Sequence, residues 1–249
     1  MTGKKLTLIE LEDEFIKFIN KANSEMHLSI SKKTTDRWIS IIENEINHNR
    51  SYKAQIIKYK DERLSGSFLH RHCILSAFKS IFMLFRYIRI NKNLDAWCSL
   101  IDAYEYLDIS NIYLTTYEID NSAIEELTKK IDAIKYAIFP RDPIYTSIAM
   151  TETMGDCSIC GNAFLSCEHI EQKIYNGRLC QRVNRKIIEA NHTAIVENPR
   201  DRRCIISTSH NEDGFQIDIF SKELIKGQIK PEPDKFKINL FHTRAFPLD

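Results

Sequence analysis

The chain has 249 residues, 43% of them hydrophobic and 28% charged, the balance of an ordinary globular protein. Its 35 Lys and Arg against 34 Asp and Glu leave a net charge of +1, so no overall field selects nucleic acid or an anionic membrane. The most apolar stretch, Ile81 to Ile90, is interrupted by Arg86 and Arg89 and falls short of the about 20 apolar residues a membrane helix takes.

Before Pro140 the only glycines are Gly3 and Gly66 and there is no proline, so the first 139 residues are expected to be all helical. Met1-Thr2-Gly3-Lys4-Lys5 runs directly into Leu8, Leu11, Phe15, Ile16 and Ile19 at helical spacing, with no secretory signal before them. Thr35 is the expected N-cap of a helix carrying Trp38, Ile41, Ile42 and Ile46. Ser65-Gly66-Ser67 reads as a break before the longest pattern, Phe68 to Ile88, apolar over a wide arc and expected to be the central buried helix. A further helix is expected over Leu94 to Leu107. Another, capped by Asn121 or Ser122, runs through Ile124, Leu127, Ile131, Ile134 and Ile138 to Pro140 and Pro143. Arg86 and Arg89 are expected to be solvated or paired with acids such as Asp102 or Glu105.

Residues 140–156 read as a connector ending at Gly155. Beyond it the pattern changes to short β-branched or alternating runs: Ala194-Ile195-Val196, Cys204-Ile205-Ile206, Phe215 to Phe220, and Phe236-Lys237-Ile238-Asn239-Leu240. Asn211-Glu212-Asp213-Gly214 supplies a turn between two of them. The expected fold is α+β, an all-helical N-terminal domain (1–139) followed, after the connector, by a small zinc-binding module with a short antiparallel sheet (157–249).

Five candidate soft ligands lie from Cys157 to Cys180: Cys157, Cys160, Cys167, His169 and Cys180, spaced C-x2-C-x6-C-x-H-x10-C. A C-x2-C turn presents two thiolates to one ion, and a second pair completes the tetrahedron that zinc prefers. Cys180 completes the set most naturally, which leaves Cys167 and His169 competing for the fourth place. A closed cysteine-rich site has no position for water, so the expected role is a structural Zn2+ that contributes folding energy. Cys73 and Cys98 sit on apolar helix faces and Cys204 in a strand pattern, so none of them joins the set. Seven cysteines, four of them crowded beside a histidine, suit a reducing compartment and a metal better than disulfides, hence an expected cytoplasmic location.

Cys157-Ser-Ile-Cys160-Gly161, Cys167-Glu-His169-Ile170 and Tyr175-Asn-Gly177-Arg-Leu-Cys180 resemble a zinc-binding pattern, C-x2-C-G, C-x-H-I, Y-x-G-x-x-C, of phage- and prophage-linked bacterial proteins mostly without assigned activity. The sequence departs from that pattern at Glu171-Gln172, where a glycine usually precedes the tyrosine. The resemblance implies a zinc-stabilised module in a system tied to phage biology or defence, and no reaction.

The same stretch partly resembles HNH endonucleases through Glu168-His169-Ile170, Leu179-Cys180-Gln-Arg-Val183-Asn184-Arg-Lys186 and His192. That resemblance implies His169 as general base, Asn184 as the residue orienting it, and His192 as a ligand of a catalytic divalent ion. Val183 stands where the last knuckle cysteine belongs, and His169 cannot be both zinc ligand and base. Arg178, Arg182, Arg185 and Lys186 would then contact phosphate, or else form a solvated helix face. Arg63 and His70 loosely resemble the R-x4-6-H arrangement of HEPN ribonucleases, and Arg200, Arg202 and Arg203 form a basic knot expected to be an exposed turn.

The function expected from these features is a non-catalytic, zinc-stabilised interaction or adaptor subunit. It would bind a protein partner or a second copy of itself, with nucleic acid a possible ligand and no membrane. The alternative is a metal-dependent nuclease using His169, Asn184 and His192.

Overall fold

The computed structural model describes residues 7–28 and 30–225. Five helices come first: α1 (Leu8–Glu25), α2 (Lys32–Ile56), α3 (Glu62–Arg89), α4 (Asn93–Thr116) and α5 (Ser122–Ile138). Small antiparallel sheets of two strands each follow, so the chain is α+β as expected. No helix among the described residues is long and apolar enough to cross a membrane.

Local chemistry fixes where the helices start. Thr7 and Glu10 form a reciprocal capping box, Thr7 Oγ1 accepting the Glu10 amide at 3.2 Å and the Glu10 carboxylate accepting the Thr7 amide at 2.8 Å. The cap of α2 is Ser31, not Thr35. Thr35 lies one turn inside, fully buried, its hydroxyl donating to the Ser31 carbonyl at 2.9 Å. Nor does Ser65-Gly66-Ser67 break the chain, because α3 starts earlier, on Asp61, whose side chain accepts the Leu64 amide at 2.9 Å. Gly66 is there for close packing, since a Cβ on it would lie 2.7 Å from the Tyr113 ring of α4.

The core is built around α3, which packs between α2 and α4. Trp38 stacks on Phe82 at 5.7 Å, and Phe78, Ile81, Phe85, Trp97 and Leu100 fill the space around them. Each such side chain withdrawn from water contributes about 1.5–3 kcal/mol before the entropic cost of ordering it. The core continues into the β region: Tyr145, Ile205 and Phe220 pack with Trp97 and Phe139, and the Trp97 indole N–H donates to the Arg202 carbonyl at 2.7 Å.

Residues 140–156 are more than a connector, for they hold β1 (Tyr145–Glu152). Its partner is β6 (Ile187–Val196), running antiparallel from Tyr145 opposite Val196 to Glu152 opposite Ile187, with two register shifts that accommodate extra residues in β6. The remaining pairs are short: β2 (Asp156–Cys157) with β5 (Arg182–Val183), β3 (Ile174–Tyr175) with β4 (Arg178–Leu179), and β7 (Thr208–His210) with β8 (Gln216–Asp218). The turn at Asn211–Gly214 joins the last pair as expected, while Cys204-Ile205-Ile206 forms isolated bridges, Ile205 opposite Tyr145, instead of a strand. The run Phe236 to Leu240 lies outside the described residues.

Arg86 is half exposed and paired with an acid as expected, but with Asp36 and not with Asp102 or Glu105. Asp102 and Glu105 hold Arg203, not Arg86 or Arg89. Arg86 faces Asp36 at 3.6 Å, and Arg89 donates to the Phe85 carbonyl at 2.8 Å. The basic knot is an exposed turn only at Arg200: Arg203 is 7% exposed and bonds Asp102, Glu105 and Asp201, while Arg202 lies over the Tyr104 ring.

Candidate metal centre

The first half of the site is a tight turn closing β2. After Cys157 the chain reverses through Ser158-Ile159-Cys160-Gly161, with the Gly161 amide donating to the Cys157 carbonyl at 2.8 Å and the Ile159 amide pointing at Cys157 Sγ at 3.4 Å. Gly161 sits at φ +75°, where a glycine avoids the strain a side chain would bring. Arg178 braces the turn from below: its guanidinium donates to the carbonyls of both Ser158 and Ile159. The Ser158 hydroxyl donates to the Leu179 carbonyl at 3.1 Å and accepts the Gln181 amide at 2.9 Å.

The second half is the extended Cys167-Glu168-His169 segment. The His169 amide donates to Cys167 Sγ at 3.2 Å, and Cys167 Sγ stands 3.5 Å from His169 Nδ1. The imidazole is held edge-on against the Tyr175 ring at 4.7 Å, and the Tyr175 hydroxyl accepts the Ile170 amide at 3.0 Å. Gln172 adopts φ +70°, a backbone conformation that glycine favours.

Four of the five sequence candidates converge. The donor atoms of Cys157, Cys160, Cys167 and His169 all lie within 4.8 Å of one another, an arrangement that could hold a metal ion. Cys180 is not among those four, although its Sγ stands 3.8 Å from Cys157 Sγ and both residues are fully buried. Both Cys167 and His169 therefore belong to the group, where the spacing had set them in competition. Burial works to raise the Cys157 thiol, but the amides of Cys160 and Ile159 and the neighbouring thiols outweigh it and hold the thiol near 6. Burial and the adjacent Cys157 push Cys180 up to about 12. The centre thus favours a thiolate at Cys157, the form a metal requires.

The other proposed site residues lie apart from this group. Asn184 is exposed and donates to the Asp156 carboxylate at 2.8 Å, and His192 stands exposed on β6 opposite Ala149. The basic residues expected on a helix face belong instead to β4, β5 and the loop after them, and most are consumed internally. Arg182 Nε lies 3.0 Å from the Glu171 carboxylate, Arg185 pairs with Glu152 at 2.7 Å, and Arg178 braces the knuckle. His70 is engaged within the helical bundle, its Nδ1 2.7 Å from Ser110 Oγ and its ring against Tyr113. Burial is the main cause that drops its pKa to about 4. Cys73 is buried on its helix face as expected, Cys98 is only partly buried, and Cys204, outside the donor group, is buried.

The sequence reading missed two supports, Arg178 and Tyr175. Tyr175 falls inside the Y-x-G-x-x-C pattern, so its place was signalled without its role. Nothing in the spacing of Arg178 separates a brace from a phosphate contact. Comparison with known proteins adds no guide: no family model, no curated protein and no solved structure matches the chain.

Proposed function

We propose that the chain is a non-catalytic interaction subunit whose β region is stabilised by a Zn2+ ion held by Cys157, Cys160, Cys167 and His169. The observation that carries this reading is the closed donor set, three thiols and an imidazole within 4.8 Å of one another. Zinc takes four such ligands tetrahedrally, and a site that supplies all four from protein leaves no place for the water a hydrolytic zinc needs. Such an ion supplies folding energy to a segment whose sheets are too short to stand alone. Protein recognition, by another chain or a second copy, is the role that remains for a body with a stabilised appendage. A reducing cytoplasm suits its free thiols. A bacterial, phage-linked or defence setting is part of the same proposal and rests on the C-x2-C-G, C-x-H-I, Y-x-G-x-x-C resemblance.

The endonuclease alternative needs His169 free as a base and facing His192. Here His169 belongs to the donor group and rests on Cys167 and Tyr175, which favours the structural reading. Metal analysis of the purified chain, with capture of the neighbouring gene products, tests the proposal. One equivalent of zinc and a stable complex support it. Plasmid cleavage with magnesium or manganese that disappears in His169→Ala would overturn it.

A further inference from the structure

Four donors gather at the centre, and a fifth, Cys180, stands beside one of them. A zinc–thiolate bond of about 2.3 Å at the tetrahedral angle separates two bound sulfurs by about 3.8 Å, and replacing one sulfur by an imidazole nitrogen at about 2.0–2.1 Å shortens that edge to about 3.5 Å. Cys167 Sγ and His169 Nδ1 lie 3.5 Å apart, the sulfur–nitrogen edge. Cys157 Sγ and Cys180 Sγ lie 3.8 Å apart, the sulfur–sulfur edge. Cys180 is therefore at ligand spacing from a member of the group without belonging to it.

We infer that Cys180 is an exchange ligand, so that the centre has two coordination states, Cys157/Cys160/Cys167/His169 and Cys157/Cys160/Cys167/Cys180. This rests on the metal-binding reading above and deepens it. The two states tie the ion to different parts of the molecule. His169 belongs to the outer segment, bordered by the exposed Ile170. Cys180 follows Leu179, which is buried with Leu69, Cys73 and Ile109 of α3 and α4. Its backbone is fixed as well, the Cys180 amide donating to Lys173 and its carbonyl accepting from Gln172 at 2.9 Å. Exchange of His169 for Cys180 thus moves one of the metal's four anchors from an exposed loop to a strand packed on the helical body, and frees the segment from Glu168 to Ile170 to rearrange while Cys167 stays bound.

Cobalt(II), which takes the same tetrahedral sites and whose sulfur charge-transfer absorption grows with the number of bound thiolates, tests this on the full chain. Wild type, His169→Ala, Cys180→Ser and the double variant are each titrated. The expected result is one equivalent bound by wild type and by each single variant, a four-thiolate spectrum in His169→Ala, a three-thiolate spectrum in Cys180→Ser, and loss of the tight site in the double variant. Loss of the metal in either single variant overturns the inference, as does its retention in the double variant. Cys180→Ala, checked by circular dichroism, separates a ligand effect from a folding defect at that buried position. If wild type itself binds no cobalt or zinc, the metal reading fails as a whole, a result distinct from failure of the exchange alone.

Discussion

Asn176 and Ser65 lie 111 positions apart in sequence and bond directly, the Ser65 hydroxyl donating to Asn176 Oδ1 at 2.9 Å. The same asparagine donates from its amide to the Ile57 carbonyl at 3.1 Å, at the end of α2. Asn176 and Gly177, at φ +47° and +70°, form the tight turn between β3 and β4. Two successive positive φ values are what a two-residue hairpin turn needs, and Asn-Gly is the pair that supplies them most readily. The tip of the donor-bearing segment is thereby seated on the start of α3.

Gly177→Ala should disturb that seat. A Cβ at this position would stand 2.4 Å from the Ser65 carbonyl oxygen, in addition to the strain of φ +70°. Gly161 shares the strain, at φ +75°, but has nothing within 4 Å of its would-be Cβ. Left-handed strain alone costs roughly 1–2 kcal/mol. Denaturant unfolding should therefore give a loss of about that size for Gly161→Ala and a clearly larger one for Gly177→Ala; equal losses would show that the hairpin yields freely.

Removal of the metal should act unevenly along the chain. The helices are packed chiefly by α2, α3 and α4 side chains, whereas residues 157–183 are held by two-residue strands, the donor group and the seat of Leu179 on α3 and α4. A strong chelator should open cleavage sites between Cys157 and Val183 in limited proteolysis while most of the helical circular dichroism persists. Global loss of helix on chelation would mean that the two parts fold as one cooperative unit.

Arg203 offers a sharp stability test. It is 7% exposed and satisfies Asp102, Glu105 and Asp201, so Arg203→Ala leaves three carboxylates facing one another without their cation. Breaking a buried pair in this way costs about 3–5 kcal/mol. Arg203→Lys should recover only part of it, because an ammonium cannot match the forked geometry. Chemical denaturation of the two variants measures both effects.

Acid should weaken the bundle through His70. Its pKa falls from 6.5 to about 4 in the folded chain, chiefly by burial, with the Ser110 hydrogen bond opposing and Arg71 reinforcing the shift. A depressed folded pKa means the unfolded chain binds the proton first. The contribution is thus present above about 6.5 and lost as pH falls through about 4. Stability measured across that window should fall more steeply for wild type than for His70→Gln, and identical slopes would exclude His70 as the source.

The helices were legible because glycine and proline are nearly absent before Pro140, and periodicity placed their apolar faces well. Their starts were less so, since Ser31 and Thr35 are both good caps and only packing decides between them. Gly66 signalled a break in sequence because the approach of Tyr113 is a tertiary fact. Strand β1 escaped for a similar reason: Pro140, Pro143 and Gly155 bracket it like a linker, and its partner begins only at Ile187. In the metal centre the donor types and spacing identified Cys157, Cys160, Cys167, His169 and Cys180 as a set. Which four gather depends on how the hairpin is seated, and spacing carries no trace of that.

The pairing of Glu152 with Ile187 has a topological consequence. Everything between these two residues leaves and re-enters the fold side by side, so the donor group is an insertion on a two-stranded stem. A stem of this kind allows transplantation: the segment could be moved to another ribbon of matching register and carry its donor group along. The scaffold left behind would not be whole, because the apolar surface of Leu69, Cys73 and Ile109 would lose Leu179 and meet water. The donor segment therefore doubles as a lid for its host.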